Sequence, residues 1–74
     1  MGRPARVRDW SINERIRQLI YSKDISIMRM GRESGIDEKD LRKYRDDESQ
    51  PDRENLIKLA DYFGVTVDWI LRGE

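Results

Sequence analysis

The sequence predicts an all-α domain built from five short helices. Three observations lead there. Apolar residues recur at three- and four-residue intervals through most of the chain. No stretch alternates as a strand would, and no internal repeat or low-complexity segment is evident. Glycines and short polar residues stand where one helix should stop and the next begin.

The first helix is expected to start at Ser11. A serine cap there, with Glu14 three residues later, has capping-box spacing. Ile12, Ile16, Leu19 and Ile20 form its inner stripe, which leaves Arg15, Arg17 and Gln18 outward. Ser22-Lys23-Asp24 ends it, and Ile25 should plug the core. Ser26 caps a second helix over 27–34, with Met28 and Met30 as packing residues. Gly35 closes that helix, Ile36 enters the core, and Asp37 caps a third helix over 38–45, with Leu41 and Tyr44 inward. A polar connector, 46–51, follows. Pro51 or Asp52 opens the fourth helix, whose inner face is Leu56, Ile57, Leu59, Ala60 and Phe63. Gly64 stops it, Val65 returns to the core, and Thr66 caps a fifth helix with Val67, Ile70 and Leu71 as its apolar stripe.

Length and composition limit the functions available. Seventy-four residues make one small domain with a modest core. There is no cysteine and no histidine, which removes disulfides, zinc fingers and histidine-based catalysis. No apolar run approaches membrane-spanning length, and no signal-peptide pattern is present, so the expected setting is cytoplasmic. The carboxylates sit at caps, in loops or on exposed faces. No nucleophile has a base partner, and no phosphate loop exists, so no catalytic residue, metal ligand or cofactor is assigned.

Residues 27–44 hold the most specific pattern. Gly31 permits a close helix crossing, and Gly35 supplies a positive-φ turn. Leu41 and Tyr44 then send bulk back into the shared core. This is the layout of a helix-turn-helix, which presents the outer face of its second helix to the major groove of double-stranded DNA.

Nearly the whole chain beyond the first ten residues also resembles a known family. The matching pieces are Ile12-Asn-Glu-Arg-Ile-Arg, Gly31…Gly35-Ile36…Leu41…Tyr44, Pro51…Leu56-Ile57-Lys58-Leu59-Ala60, and Phe63 through Leu71. Together they are similar to the Cro and phage-repressor type of helix-turn-helix domain, called XRE-like. The tail, Asp68-Trp-Ile-Leu-Arg-Gly-Glu, is similar to the end of that domain in many phage repressors, where a linker and a dimerising domain often follow. The resemblance implies a five-helix, lambda-repressor-like DNA-binding domain with a central helix-turn-helix. Arg3, Arg6 and Arg8, opposed only by Asp9, with Gly2 and Pro4 against a helix, set off a flexible basic arm, 1–10, from a helix-turn-helix domain, 11–74. The resemblance further implies a transcriptional regulator of phage or prophage repressor type that binds double-stranded DNA as a homodimer. An antirepressor or other protein is a further partner of such regulators.

Site residues follow position by position. The resemblance implies base-edge contacts from Glu38, Lys39, Arg42 and Lys43, and phosphate contacts from Ser26 and Asp37 at the starts of the two motif helices. Charge adds Arg3, Arg6, Arg8, Arg15, Arg17 and Lys23 as phosphate contacts, because they face only Asp9 and Glu14 in the first 23 residues. Trp10 is expected to anchor the arm by packing. Val67, Trp69 and Leu71 are the expected dimer contacts.

Three departures from the family pattern stand against this. Ile27 replaces a glutamine that touches phosphate, Ser34 replaces a leucine before the turn glycine, and Asp46-Asp47-Glu48 replaces a basic loop. Residues 36–48 hold four basic against six acidic side chains, and the whole chain has a net charge of zero. The alternative is therefore a helix-turn-helix module that binds protein and has weak or lost DNA affinity. The sign of charge on the outer face of the third helix discriminates the two.

Overall fold

The computed structural model describes residues 11–73. Among them the order is α1 (Ser11–Lys23), α2 (Ile27–Ser34), α3 (Glu38–Arg45), α4 (Arg53–Phe63) and α5 (Val67–Arg72), with no strand. The expected arm, with Arg3, Arg6, Arg8 and Trp10, lies outside the described residues.

Local chemistry sets the helix ends. Ser26, Asp37, Asp52 and Thr66 each accept a backbone N–H from the first turn of the helix that follows. The choice between Pro51 and Asp52 falls to Asp52, whose carboxylate takes the Asn55 N–H at 2.9 Å. Ser11 differs from its expected role, because it is already part of the helix. Gly35 and Gly64 close α2 and α4 with φ of 79° and 71°, in the left-handed region.

The core joins all five helices. Ile16 and Ile20 of α1 meet Met30, Ile36, Leu41, Tyr44, Leu56, Leu59, Ala60 and Ile70. Leu19, Ile25, Phe63, Val65, Val67 and Leu71 pack around them as partly buried residues. Two apolar expectations fail. Ile57 is 46% exposed and Met28 58% exposed. Leu56 and Leu59 fill the inner side of α4, so Ile57 falls on its flank. Met30 takes the one fully buried position of α2, two residues from Met28 and thus on a different face.

The helix-turn-helix crossing depends on Gly31. A Cβ built there would lie 2.9 Å from the Ile36 carbonyl oxygen and 3.4 Å from the Glu38 backbone nitrogen. The turn and the start of α3 therefore rest on a bare patch of α2 backbone. Ser34 has its own use in this turn, since its hydroxyl accepts the Ile36 N–H at 3.2 Å.

Candidate nucleic-acid interface

Leu41 and Tyr44 anchor the inner face of α3 and turn Lys39, Arg42 and Lys43 outward. These three share one exposed face, at spacings of three and four residues. Neither Lys39 nor Lys43 pairs with a carboxylate among the described residues. Arg42 forms an ion pair with Glu38, one turn earlier.

The acidic residues of this helix have partners of their own. Asp37 caps α3 through the Lys39 N–H at 3.1 Å. Asp40 accepts from Asn55 of α4 at 3.3 Å, and the same amide nitrogen donates to the Tyr44 hydroxyl at 2.7 Å. Burial raises the Tyr44 pKa, with Asp40 and Asp52 adding to it, so the phenol stays neutral. Glu38 is committed to Arg42. The outer face of α3 thus carries three cations against one paired carboxylate, although the segment as a whole is acidic.

Two of the expected phosphate contacts also have partners within the chain. Arg15 donates its Nε to the Ile70 carbonyl at 2.8 Å, at the C-terminal end of α5. Arg17 donates to the Arg45 carbonyl at 3.2 Å and to Asp47 at 2.6 Å, at the C-terminal end of α3. Both guanidinium groups satisfy carbonyls that a helix end leaves unpaired, where the helix dipole favours positive charge. The hydrogen bond to Asp47 raises the Arg17 pKa further above its usual range. Lys23 sits 4.7 Å from the centre of the Tyr62 ring. Ser26 and Asp37 already spend a side-chain oxygen on their helix caps.

Asn13 was not anticipated, and it is fully buried. Its amide nitrogen donates to the carbonyls of Tyr44 and Ser49, each at 3.0 Å. It ties α1 to the end of α3 and to the loop beyond, and so fixes the angle at which α3 is presented. The signal in the sequence was a polar residue one turn before Ile16 and Arg17, next to the apolar stripe.

Val67 and Leu71, two of the expected dimer contacts, line an open groove of about 500 Å³ with Arg53, Leu56 and Ile57. Trp69 is partly buried against the core and does not line this groove.

Comparison with known proteins decides the family. A helix-turn-helix domain family matches residues 13–74, almost the whole of the described chain. The chain belongs to the helix-turn-helix domain family. Within it, the chain is 35% identical over 60 residues to the SPbeta prophage-derived uncharacterized HTH-type transcriptional regulator YonR of Bacillus subtilis (strain 168). That match covers 81% of this chain and 56% of the relative, so the helix-turn-helix domain described here spans about half of that protein's length. No solved structure matches. No helix among the described residues is long and apolar enough to cross a membrane.

Proposed function

We propose that this chain is the DNA-binding part of a transcriptional regulator of phage or prophage repressor type, acting in the cytoplasm. In this reading α3 enters the major groove of double-stranded DNA. Lys39, Arg42 and Lys43 meet base edges there, and Glu38 either orients Arg42 or accepts from a cytosine amino group. The observation that carries the reading is the charge of the outer α3 face within a helix-turn-helix. The acids nearby are spent on a cap, on Asn55 and on Arg42, while Lys39 and Lys43 are unpaired among the described residues.

Phosphate contacts come from the backbone N–H groups at the starts of α2 and α3 and from the basic arm of residues 1–10. A second copy covers the groove beside Val67, Leu71 and Ile57, and the homodimer spans two half-sites about 10 bp apart. The relative named as an HTH-type transcriptional regulator supports the same reading.

The test is selection from random duplex DNA at two salt concentrations. Enrichment of a common sequence at both supports the proposal. Recovery of unrelated sequences, or of none, sinks it in favour of a protein-binding module. The exposed Ile57 and its groove are the feature that favours that second reading, with an antirepressor-like protein as the occupant.

A further inference from the structure

The loop after α3 carries a carboxylate where the backbone disfavours one. The Glu48 N–H reaches the Lys43 carbonyl at 2.8 Å, and the Asp47 N–H reaches the Tyr44 carbonyl at 3.4 Å. This is a Schellman closure, with Asp47 in the left-handed position at φ 61°. Glycine suits that position best, and Gly35, Gly64 and Gly73 hold the corresponding place after α2, α4 and α5. Asp47 accepts that backbone and uses its carboxylate to hold Arg17. Its neighbour Asp46 holds Arg45 through both carboxylate oxygens, at 2.9 Å and 3.2 Å.

The position of this loop gives those pairs a consequence. Helix α3 has eight residues, which at about 1.5 Å per residue makes it about 12 Å long. A recognition helix lies in the major groove between two phosphate backbones, with its N-terminal residues at the base edges. In the DNA-binding reading, the chain that leaves so short a helix at its C-terminal end runs away from the bases and toward a phosphate backbone. At the C-terminal end that chain is Asp46-Asp47-Glu48, and the cations beside it are Arg17 and Arg45.

We propose that Asp46 and Asp47 act as an electrostatic brake on DNA binding, by holding Arg45 and Arg17 in intramolecular pairs that compete with phosphate. This rests on the DNA-binding reading above. Both pairs are partly solvent-exposed, with side chains 25% and 44% accessible in one and 31% and 47% in the other. Such pairs are weak in water and exchange readily. Two cations that would otherwise neutralise phosphates are withheld, and two carboxylates repel the same phosphates. Affinity for arbitrary DNA, which is almost entirely electrostatic, is thereby kept low.

The test compares the full chain with a D46N/D47N double variant. Asparagine tolerates the left-handed conformation, so the Schellman turn is retained. Binding is measured by fluorescence anisotropy on a random-sequence duplex and on the sequence selected as above, across a salt series. Circular dichroism and a urea midpoint check folding. D47G, which suits the turn better still, is the second variant if the double variant is unfolded.

The expected result is tighter binding of the random duplex, most pronounced at low salt. The slope of log affinity against log salt should steepen by about 0.9 for each phosphate contact regained. A variant that binds when the wild type does not would give the same support. A folded variant whose affinity and slope match those of a DNA-binding wild type would overturn the brake alone. If neither protein binds any duplex, the DNA-binding reading falls and the brake falls with it.

Discussion

Asn13 and Tyr44 are joined by a buried hydrogen bond of 3.0 Å between residues 31 positions apart. The Asn13 amide nitrogen also reaches the Ser49 carbonyl, so one side chain fixes both the end of α3 and its outgoing loop. Asn13→Ala would leave the Ser49 carbonyl without this donor and open a small polar void. The expected cost is about 2 kcal/mol, read as a lower urea midpoint with an unchanged slope. A loss below about 0.5 kcal/mol would mean that water replaces the amide without penalty.

Arg15 invites a sharper comparison, because charge alone counted it as a phosphate contact. Its bond to the Ile70 carbonyl makes it a clamp between α1 and α5. Arg15→Ala should lower stability by about 1 kcal/mol. It should leave the salt dependence of DNA binding as it was. A shallower salt slope at unchanged stability would return Arg15 to the DNA interface.

At Gly31 the expectation is steric. The Ile36 carbonyl, 2.9 Å from an added Cβ, belongs to backbone and cannot rotate away. Gly31→Ala gains up to about 1 kcal/mol of helix propensity. Overpacking should cost about 1–3 kcal/mol, for a net loss, and Gly31→Leu should lose more. Thermal unfolding of both variants checks the order. An alanine variant more stable than the wild type would mean that the α2–α3 crossing relaxes freely.

The outer face of α3 makes the functional prediction. Lys39→Ala and Lys43→Ala should each weaken binding to the selected sequence more than to random duplex, by about 1–3 kcal/mol where the lysine contacts a base. Parallel titrations on the two duplexes decide it. Equal losses on both would make these lysines phosphate contacts.

Periodicity and cap chemistry made most of the fold legible in the sequence. The bounds of α2 and α3 follow from Ser26, Gly35 and Asp37, each of which shapes the backbone next to it. Ile57 was misplaced because it neighbours the largely buried Leu56, and Met28 because it stands beside the partly buried Ile27 and two residues from the buried Met30. A helix only two or three turns long does not reveal which of two adjacent apolar positions faces the core. The site was less legible, for a related reason. Arg15, Arg17, Asp46 and Asp47 look like free surface charge in one dimension. Only the fold brings α1 against the C-terminal ends of α3 and α5, where open carbonyls draw in the guanidinium groups. Helix capping by a residue 28 or 55 positions away leaves no local pattern to read.

Glu33 gives a prediction in pH. It accepts from the Tyr62 hydroxyl of α4 and from Arg29, with Lys23 nearby over the same ring. The Tyr62 hydrogen bond first, and the Arg29 hydrogen bond second, lower its pKa from the ordinary carboxylate value. A carboxylate with a lowered folded pKa contributes stability in full above its unfolded value, about 4.3, and loses it as pH falls through the lower folded value. Glu33→Gln has no such titration. The wild type should therefore be the more stable protein near neutral pH, and the gap should close in acid, where protonated glutamate and glutamine are alike. Urea midpoints for both proteins, from about pH 7 down to about pH 2, measure the gap directly. Asp46, lowered by its hydrogen bond from Arg45, titrates in both proteins and leaves the difference unaffected. A gap that stays constant across the acid range would show that the Tyr62 and Arg29 contacts hold the protonated and ionised forms equally well.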